Sequence, residues 1–231
     1  MNARIGIIHA TPNAIAPMKE SLKKFAGKVQ SLHFLDEGII EGVNKSGTVT
    51  APLLKRLLQL IEKAEESKVD GVVLSCSSFT PYIEKIEPYF NFPVVSVDYA
   101  MLEKAVKIGK HIGVVATVAA AGPTTTKIIK DIAQQRKKEI NVYTETITEA
   151  TEALLEGKVH THDVLIRQKI QELSEKCDVV VIAQLSMIRA LEDFHSPVPI
   201  LTGGETSIEN LVEQLDFLNN REKENEIHEL I

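Results

Sequence analysis

The stretch Val72-Val73-Leu74-Ser75-Cys76-Ser77-Ser78 runs from unbroken branched hydrocarbon into one thiol and three hydroxyls. An apolar run this short, bounded by polar small residues, reads as a strand buried on both faces and ending at a loop. Val180-Val181-Ile182-Ala183-Gln184-Leu185-Ser186 has the same form, with Gln184 where the first run has Cys76. Two more pairs flank these. Ile5-Gly6-Ile7-Ile8 resembles Ile112-Gly113-Val114-Val115, and Pro93-Val94-Val95-Ser96 resembles Pro199-Ile200-Leu201-Thr202. In both halves roughly seventy residues separate the first element from the second, and roughly sixteen the second from the third. The same three features in the same order make the halves diverged copies of one βα unit.

Between the apolar runs lie amphipathic segments. Pro52 to Lys68 sets Leu53, Leu57, Leu60, Ile61 and Ala64 at helical spacing, and Thr124 to Lys137, His162 to Lys176 and Ser207 to Leu218 read likewise. The alternation predicts an α/β protein of two pseudo-symmetric lobes, each a parallel sheet flanked by helices. The lobes are expected at 1–97 plus 208–231 and at 98–207, the last helix packing back on the first lobe. Parallel sheets bind ligands at the carboxyl ends of their strands. Lobes related by a pseudo-twofold axis would therefore bring Cys76 and Gln184 to one cleft. The charged end, Asn219 to Glu229, reads as a frayed helix or solvated tail.

A formal net charge of −6 argues against a nucleic-acid surface. The basic stretch Lys127 to Lys138, interrupted by Asp131, reads as a solvated helix face. No apolar run approaches the ~20 residues that span a bilayer, and no signal peptide is read at the N-terminus. Two cysteines in 231 residues make no disulfide framework, so a reducing cytoplasm is expected. His160 and His162 stand two apart, off a common helix face and without a matching ligand set, so no metal is expected. No glycine-rich phosphate loop is present.

Cys76 is the prime candidate for chemistry. It sits where a strand ends and a helix is expected to begin, a place where free N–H groups lower a thiol pKa and hold a carboxylate. Ser77 and Ser78 add hydroxyl donors. The bland alternative is a buried, inert thiol, the reading given to Cys177. His9 follows the first strand in His9-Ala10-Thr11-Pro12-Asn13. It is either a proton partner for the thiol or a strand-end histidine bonded to a neighbouring loop. Thr11 and Asn13 share that loop as candidate substrate contacts. In the second half, Thr117, Gln184 and Ser186 hold the mirrored places, and Gln184 offers hydrogen bonds but no acid or base. Thr202, Gly203 and Gly204 read as a loop or turn beside them.

Together these segments resemble the aspartate/glutamate racemase superfamily over nearly the whole chain. That superfamily includes amino-acid and hydantoin racemases, maleate isomerase and arylmalonate decarboxylase. The resemblance implies two pseudo-symmetric α/β lobes, chemistry without cofactors, a small carboxylate substrate, and a homodimer or higher homo-oligomer. In the racemases a cysteine from each lobe faces the substrate. One removes the α-proton and the other delivers a proton to the opposite face. Cys76 matches the first of these; Gln184 occupies the place of the second, and His9 stands where the family often has Asp. The implied activity is thus an isomerase or lyase working on a carbon acid through one cysteine. The alternatives are an amino-acid racemase with another second base, His162 or Asp163, and a non-catalytic carboxylate-binding protein.

Overall fold

The computed structural model describes residues 2–119 and 121–229, the side chains of 222–229 excepted. The chain divides into two compact units, Met1–Val97 with Ser207–Ile231, and Asp98–Thr206. The first contains β1 (Ala3–His9), α1 (Ile15–Leu22), β2 (Val29–Leu35), α2 (Glu37–Ser46), α3 (Ala51–Glu66), β3 (Gly71–Leu74), α4 (Ile83–Ile86) and β4 (Val94–Ser96). The second contains α5 (Tyr99–Ile108), β5 (His111–Ala116), α6 (Ala121–Gln135), β6 (Asn141–Thr146), α7 (Thr148–Leu155), α8 (Val159–Ser174), β7 (Val179–Ile182) and β8 (Ile200–Thr202). Helix α9 (Gly203–Glu229) begins in the second unit and continues into the first.

Each unit has one four-stranded sheet, ordered β2-β1-β3-β4 and β6-β5-β7-β8. Every pairing is parallel. The registers repeat as well: Ile8 lies opposite Leu74, and Val115 opposite Ile182. Counting outward from these pairs, Ser75 corresponds to Ala183, Cys76 to Gln184 and His9 to Ala116.

Residues of both parities on the central strands are buried, as their unbroken apolar runs require. In the first unit Ile8, Val72, Leu74 and Val94 pack with Leu57, Ile61 and Ala64 of α3. Ile5, Ile7, Val73 and Val95, on the opposite face, are buried too. In the second, Ile112, Val114, Val179 and Val181 meet α5 and α6, while Val115, Val180 and Ile182 meet α7 and α8.

The long helices fall within a few residues of their expected places. The edge strands β2 and β6 and the helices α1, α2, α5 and α7 are additions that the sequence reading did not make. The stretch Gly203-Gly204 is the first turn of α9, not a loop. The charged end is helical through Glu229; the solvation expected of its side chains beyond residue 221 lies outside the described residues, as does Ala120 ahead of α6. Among the described residues no helix is long and apolar enough to cross a membrane.

Gly6 and Gly113, one in each central strand, explain how closely the helices approach. A Cβ at Gly6 would lie 3.1 Å from the Ala64 Cβ and 3.3 Å from Val72; at Gly113 it would lie 3.2 Å from the Leu173 Cβ and 3.3 Å from the Cys177 sulfur. Both sets of neighbours are fixed by the core. Gly6→Val is expected to cost about 1–3 kcal/mol by overpacking, read as a lower midpoint of urea unfolding. A variant as stable as wild type would mean that α3 does not press on β1.

Candidate active site

Strand β3 ends at Leu74, and Ser75 still pairs with β1 through its N–H, which donates to the Ile8 carbonyl at 2.9 Å. Cys76 follows in extended conformation, φ −107° and ψ 109°, as the residue before a 3-10 helix, Ser77–Tyr82. The helix expected there is a 3-10 turn of six residues, with Pro81 inside it. Its first turn is anchored by the Phe79 N–H, which donates to the Cys76 carbonyl at 3.2 Å. Phe79 is fully buried. Cys76 is half-buried against the same apolar cluster, and Ser77 and Ser78 are half-buried beside it in sequence. Cys177 has a different setting. It is buried under Gly113, and desolvation pushes its thiol above the ordinary value.

His9 closes β1 and is fully buried. Both its ring nitrogens are engaged: Nδ1 lies 2.9 Å from Ser75 Oγ, and Nε2 lies 2.8 Å from His33 Nδ1. The two imidazoles stack, with centroids 5.1 Å apart. His33 Nε2 reaches Ser31 Oγ at 3.4 Å. Four side chains from β1, β2 and the end of β3 thus form one hydrogen-bonded chain. His9 thus faces Ser75, the residue before Cys76, on one side and His33 on the other. Thr11 and Asn13 follow at the same edge of the sheet. Thr11 is half-buried and its hydroxyl accepts from the Asn13 N–H at 3.4 Å, capping a short 3-10 turn; Asn13 is exposed.

At the mirrored edge of the second unit, Gln184 precedes a 3-10 helix, Leu185–Leu191, and its carbonyl accepts from Met187 N–H at 3.2 Å, the Cys76–Phe79 bond repeated. Its side-chain oxygen accepts from the Thr117 N–H at 2.7 Å, the Thr117 hydroxyl at 3.3 Å and the Val118 N–H at 3.4 Å. Gln184 and Thr117 are therefore brought together, and the Gln184 side-chain Oε1 ties the loops after β5 and β7 to one another. Thr117 is buried, and its carbonyl accepts from the Thr151 hydroxyl at 2.7 Å. Ser186 is half-buried in the turn. Among the described residues no group of three or more His, Cys, Asp or Glu is placed to hold a metal.

Residues 36–211 match the family model described as Asp/Glu/Hydantoin racemase. The chain belongs to that family. The family match takes in Cys76, Thr117 and Gln184 and begins beyond His9, Thr11 and Asn13. A glutamate racemase of Rippkaea orientalis is 25% identical over 121 residues, 52% of this chain and 42% of that protein. The aligned stretch is thus under half of that relative's length. Among solved structures, the Picrophilus torridus aspartate racemase superposes with a TM-score of 0.71 at 14% identity, over 93% of this chain and 95% of the other. An allantoin racemase from Klebsiella pneumoniae gives 0.67 at 14% identity, over 94% and 89%. At such identities these two share the fold.

Within this racemase-family fold, Ser75, Ser31, His33 and Arg189 are the polar partners that the sequence reading missed. Ser75 was in view as part of the strand-end run. His33 shows itself only once β2 is paired with β1, and Arg189, which donates to the Asp163 carboxylate at 3.1 and 3.0 Å, only once its turn is packed on α8.

The histidine chain makes stability depend on pH. Desolvation, followed by the neighbouring His33, lowers His9 from 6.5 to about 4. His33 is lowered too, by desolvation and then Lys19. Groups with depressed imidazole pKa values bind protons more readily in the unfolded chain, so acid favours unfolding. The His9 contribution is intact above its unfolded pKa and declines as pH falls from about 6.5 toward about 4. Urea unfolding at pH 5 is expected to show a loss on the order of 2 kcal/mol relative to pH 7. His9→Gln is expected to flatten that dependence; an unchanged slope would remove His9 as its source.

Proposed function

We propose that this protein moves a proton at the carbon next to a carboxylate, racemising or isomerising a small carboxylic acid, with Cys76 as acid/base. The observation that supports this reading is the position of the Cys76 thiol. It is half-buried at the carboxyl edge of a parallel sheet, at the start of a hydroxyl-bearing turn, in a chain of the racemase family.

A carbon acid of this kind resists ionisation because charge builds on the carboxylate as the C–H bond breaks. Two things lower that barrier: a base held against the hydrogen, and fixed donors aimed at the developing enediolate. A thiolate supplies the first. Ser77, Ser78 and the backbone N–H groups of the turn supply the second. A hydrocarbon wall behind the sulfur, here the cluster around Leu74 and Phe79, keeps bulk water from competing for the thiolate. Cys177 lies ahead of β7, at the amino end of its strand, and is buried in the apolar core. Aspartate, glutamate and hydantoin-type substrates are the first choice, because the related proteins bear those activities in their names.

Gln184 separates this chain from a two-thiol site, since a carboxamide neither takes nor gives a proton in this pH range. The reaction therefore runs with one thiol and a partner other than cysteine, or as a one-sided proton shift or decarboxylation.

The test is deuterium incorporation at the α-carbon of D- and L-aspartate, D- and L-glutamate and a hydantoin in D₂O, with malonates and maleate run alongside. Wild type is expected to exchange at least one of them. Cys76→Ala is expected to lose at least ~100-fold of that rate, the usual scale of a lost acid/base. Cys177→Ala is expected to keep it. A Cys76→Ala protein with wild-type exchange overturns the reading. Tight binding of a carboxylate without any turnover would make the chain a binding protein instead.

A further inference from the structure

Helix α9 packs on the first unit through Ile208, Leu211 and Leu215, a buried stripe at helical spacing. Leu215 is the last buried residue of α9 among those described; from Asp216 to Arg221 only Asn219 is even half-buried. The helix nevertheless runs on to Glu229. Helices in proteins draw most of their stability from the packing of one face. The stretch after Leu215 lacks the cover that the start of the helix has.

Away from the buried stripe, Asn210, Glu213, Gln214, Phe217 and Arg221 stand three and four residues apart and share one face. Opposite this face is the segment of residues 87–93 that leads into β4. Between the two lies a groove of about 610 Å³, lined by Phe90, Phe92, Phe217 and Leu218, with Glu87 and Glu213 beside them. The rings of Phe90 and Phe92 stack with centroids 5.5 Å apart. Phe217 is 61% exposed, Leu218 40%, and Tyr89, in the facing segment, 80%. Leu35, the other exposed large hydrophobic of this unit among the described residues, stands on β2 at the far edge of the sheet. Large apolar side chains gathered in one exposed place mark a surface that a partner covers.

The charges on the face choose that partner. Glu213 and Arg221 stand four residues on either side of Phe217. When two copies of the helix cross antiparallel at Phe217, Glu213 of each comes level with Arg221 of the other, about 6 Å along the axis from the crossing. Opposite charges then meet twice, once on each side of a twofold axis, as a self-complementary contact requires. A parallel crossing in register would set Glu213 against Glu213 and Arg221 against Arg221. The Arg221 guanidinium already lies 5.8 Å from the centre of the Phe217 ring, so its charge is held near the middle of the face.

We propose that this face is a homodimer interface, in which a second copy of this chain packs α9 antiparallel on α9. The two Phe217 rings lie beside the twofold axis, Glu213–Arg221 pairs form on both sides of it, and each groove along Phe90 and Phe92 is closed by the facing helix. The apolar side chains supply the affinity and the ion pairs the orientation. The contact gives the uncovered stretch of α9 its missing neighbour and draws on none of the chemistry at Cys76.

Sedimentation velocity over a range of protein concentrations tests this. Wild type is expected at twice the 25.5 kDa mass of the chain. Phe217→Asp, its fold checked by circular dichroism, is expected to weaken association at least ~100-fold. Glu213→Arg and Arg221→Glu each set like charges together and are expected to weaken it about 10-fold; the double variant restores the pairs with their signs exchanged and is expected to return near wild-type affinity. A tetramer that Phe217→Asp splits into dimers supports the same face. A monomeric wild type overturns the proposal, and so does Phe217→Asp that associates like wild type. A double variant no better than its two single variants also overturns it, because an interface elsewhere, or one in another orientation, does not respond to the exchange. Should Phe217→Asp fail to fold, the charge exchange decides alone.

Discussion

The pairing of β1 with β3, Ile8 opposite Leu74, and its copy between β5 and β7, Val115 opposite Ile182, is the constraint on which the rest of the molecule hangs. Strands apolar on both faces must be covered on both faces, and a parallel sheet does that with its own crossover helices. Gly6 and Gly113 let those helices come close. Once the faces are sealed, the positions left for polar chemistry lie past the carboxyl ends of the strands. The register fixes which residues those are. Ser75 comes level with His9, and Cys76 is the first side chain beyond the ladder.

The same backbone carries different chemistry in its two copies. Where the first unit has the His9–Ser75 hydrogen bond, the second has Ala116 and Ala183, both buried. The first unit continues sideways from His9 through His33 to Ser31. The second has instead the Gln184 side-chain Oε1 joined to the loop after β5. Duplication preserved the strand order, the register and the 3-10 turn. It did not preserve the side chains that link neighbouring loops. Each unit has a polar link at its strand ends, and the two are built from different groups.

How much of this was legible in the sequence follows from the physics of each part. The central strands announce themselves because burial on both faces demands unbroken hydrocarbon, as in Val72-Val73-Leu74 and Val179–Ile182. The edge strands do not. Val29–Leu35 is half-exposed and mixes Gln30, Ser31 and His33 with its apolar residues, and Asn141–Thr146 is similar. Short helices such as α4, four residues long, carry too little periodicity to read. The position of Cys76 past the end of β3 was legible because the buried apolar run stops where polar side chains begin. The surroundings of His9 were not. They depend on β2 lying beside β1 with His33 opposite Ile7, a pairing that no local pattern encodes. Arg189 and Asp163, twenty-six residues apart, likewise meet only through the packing of a turn on α8.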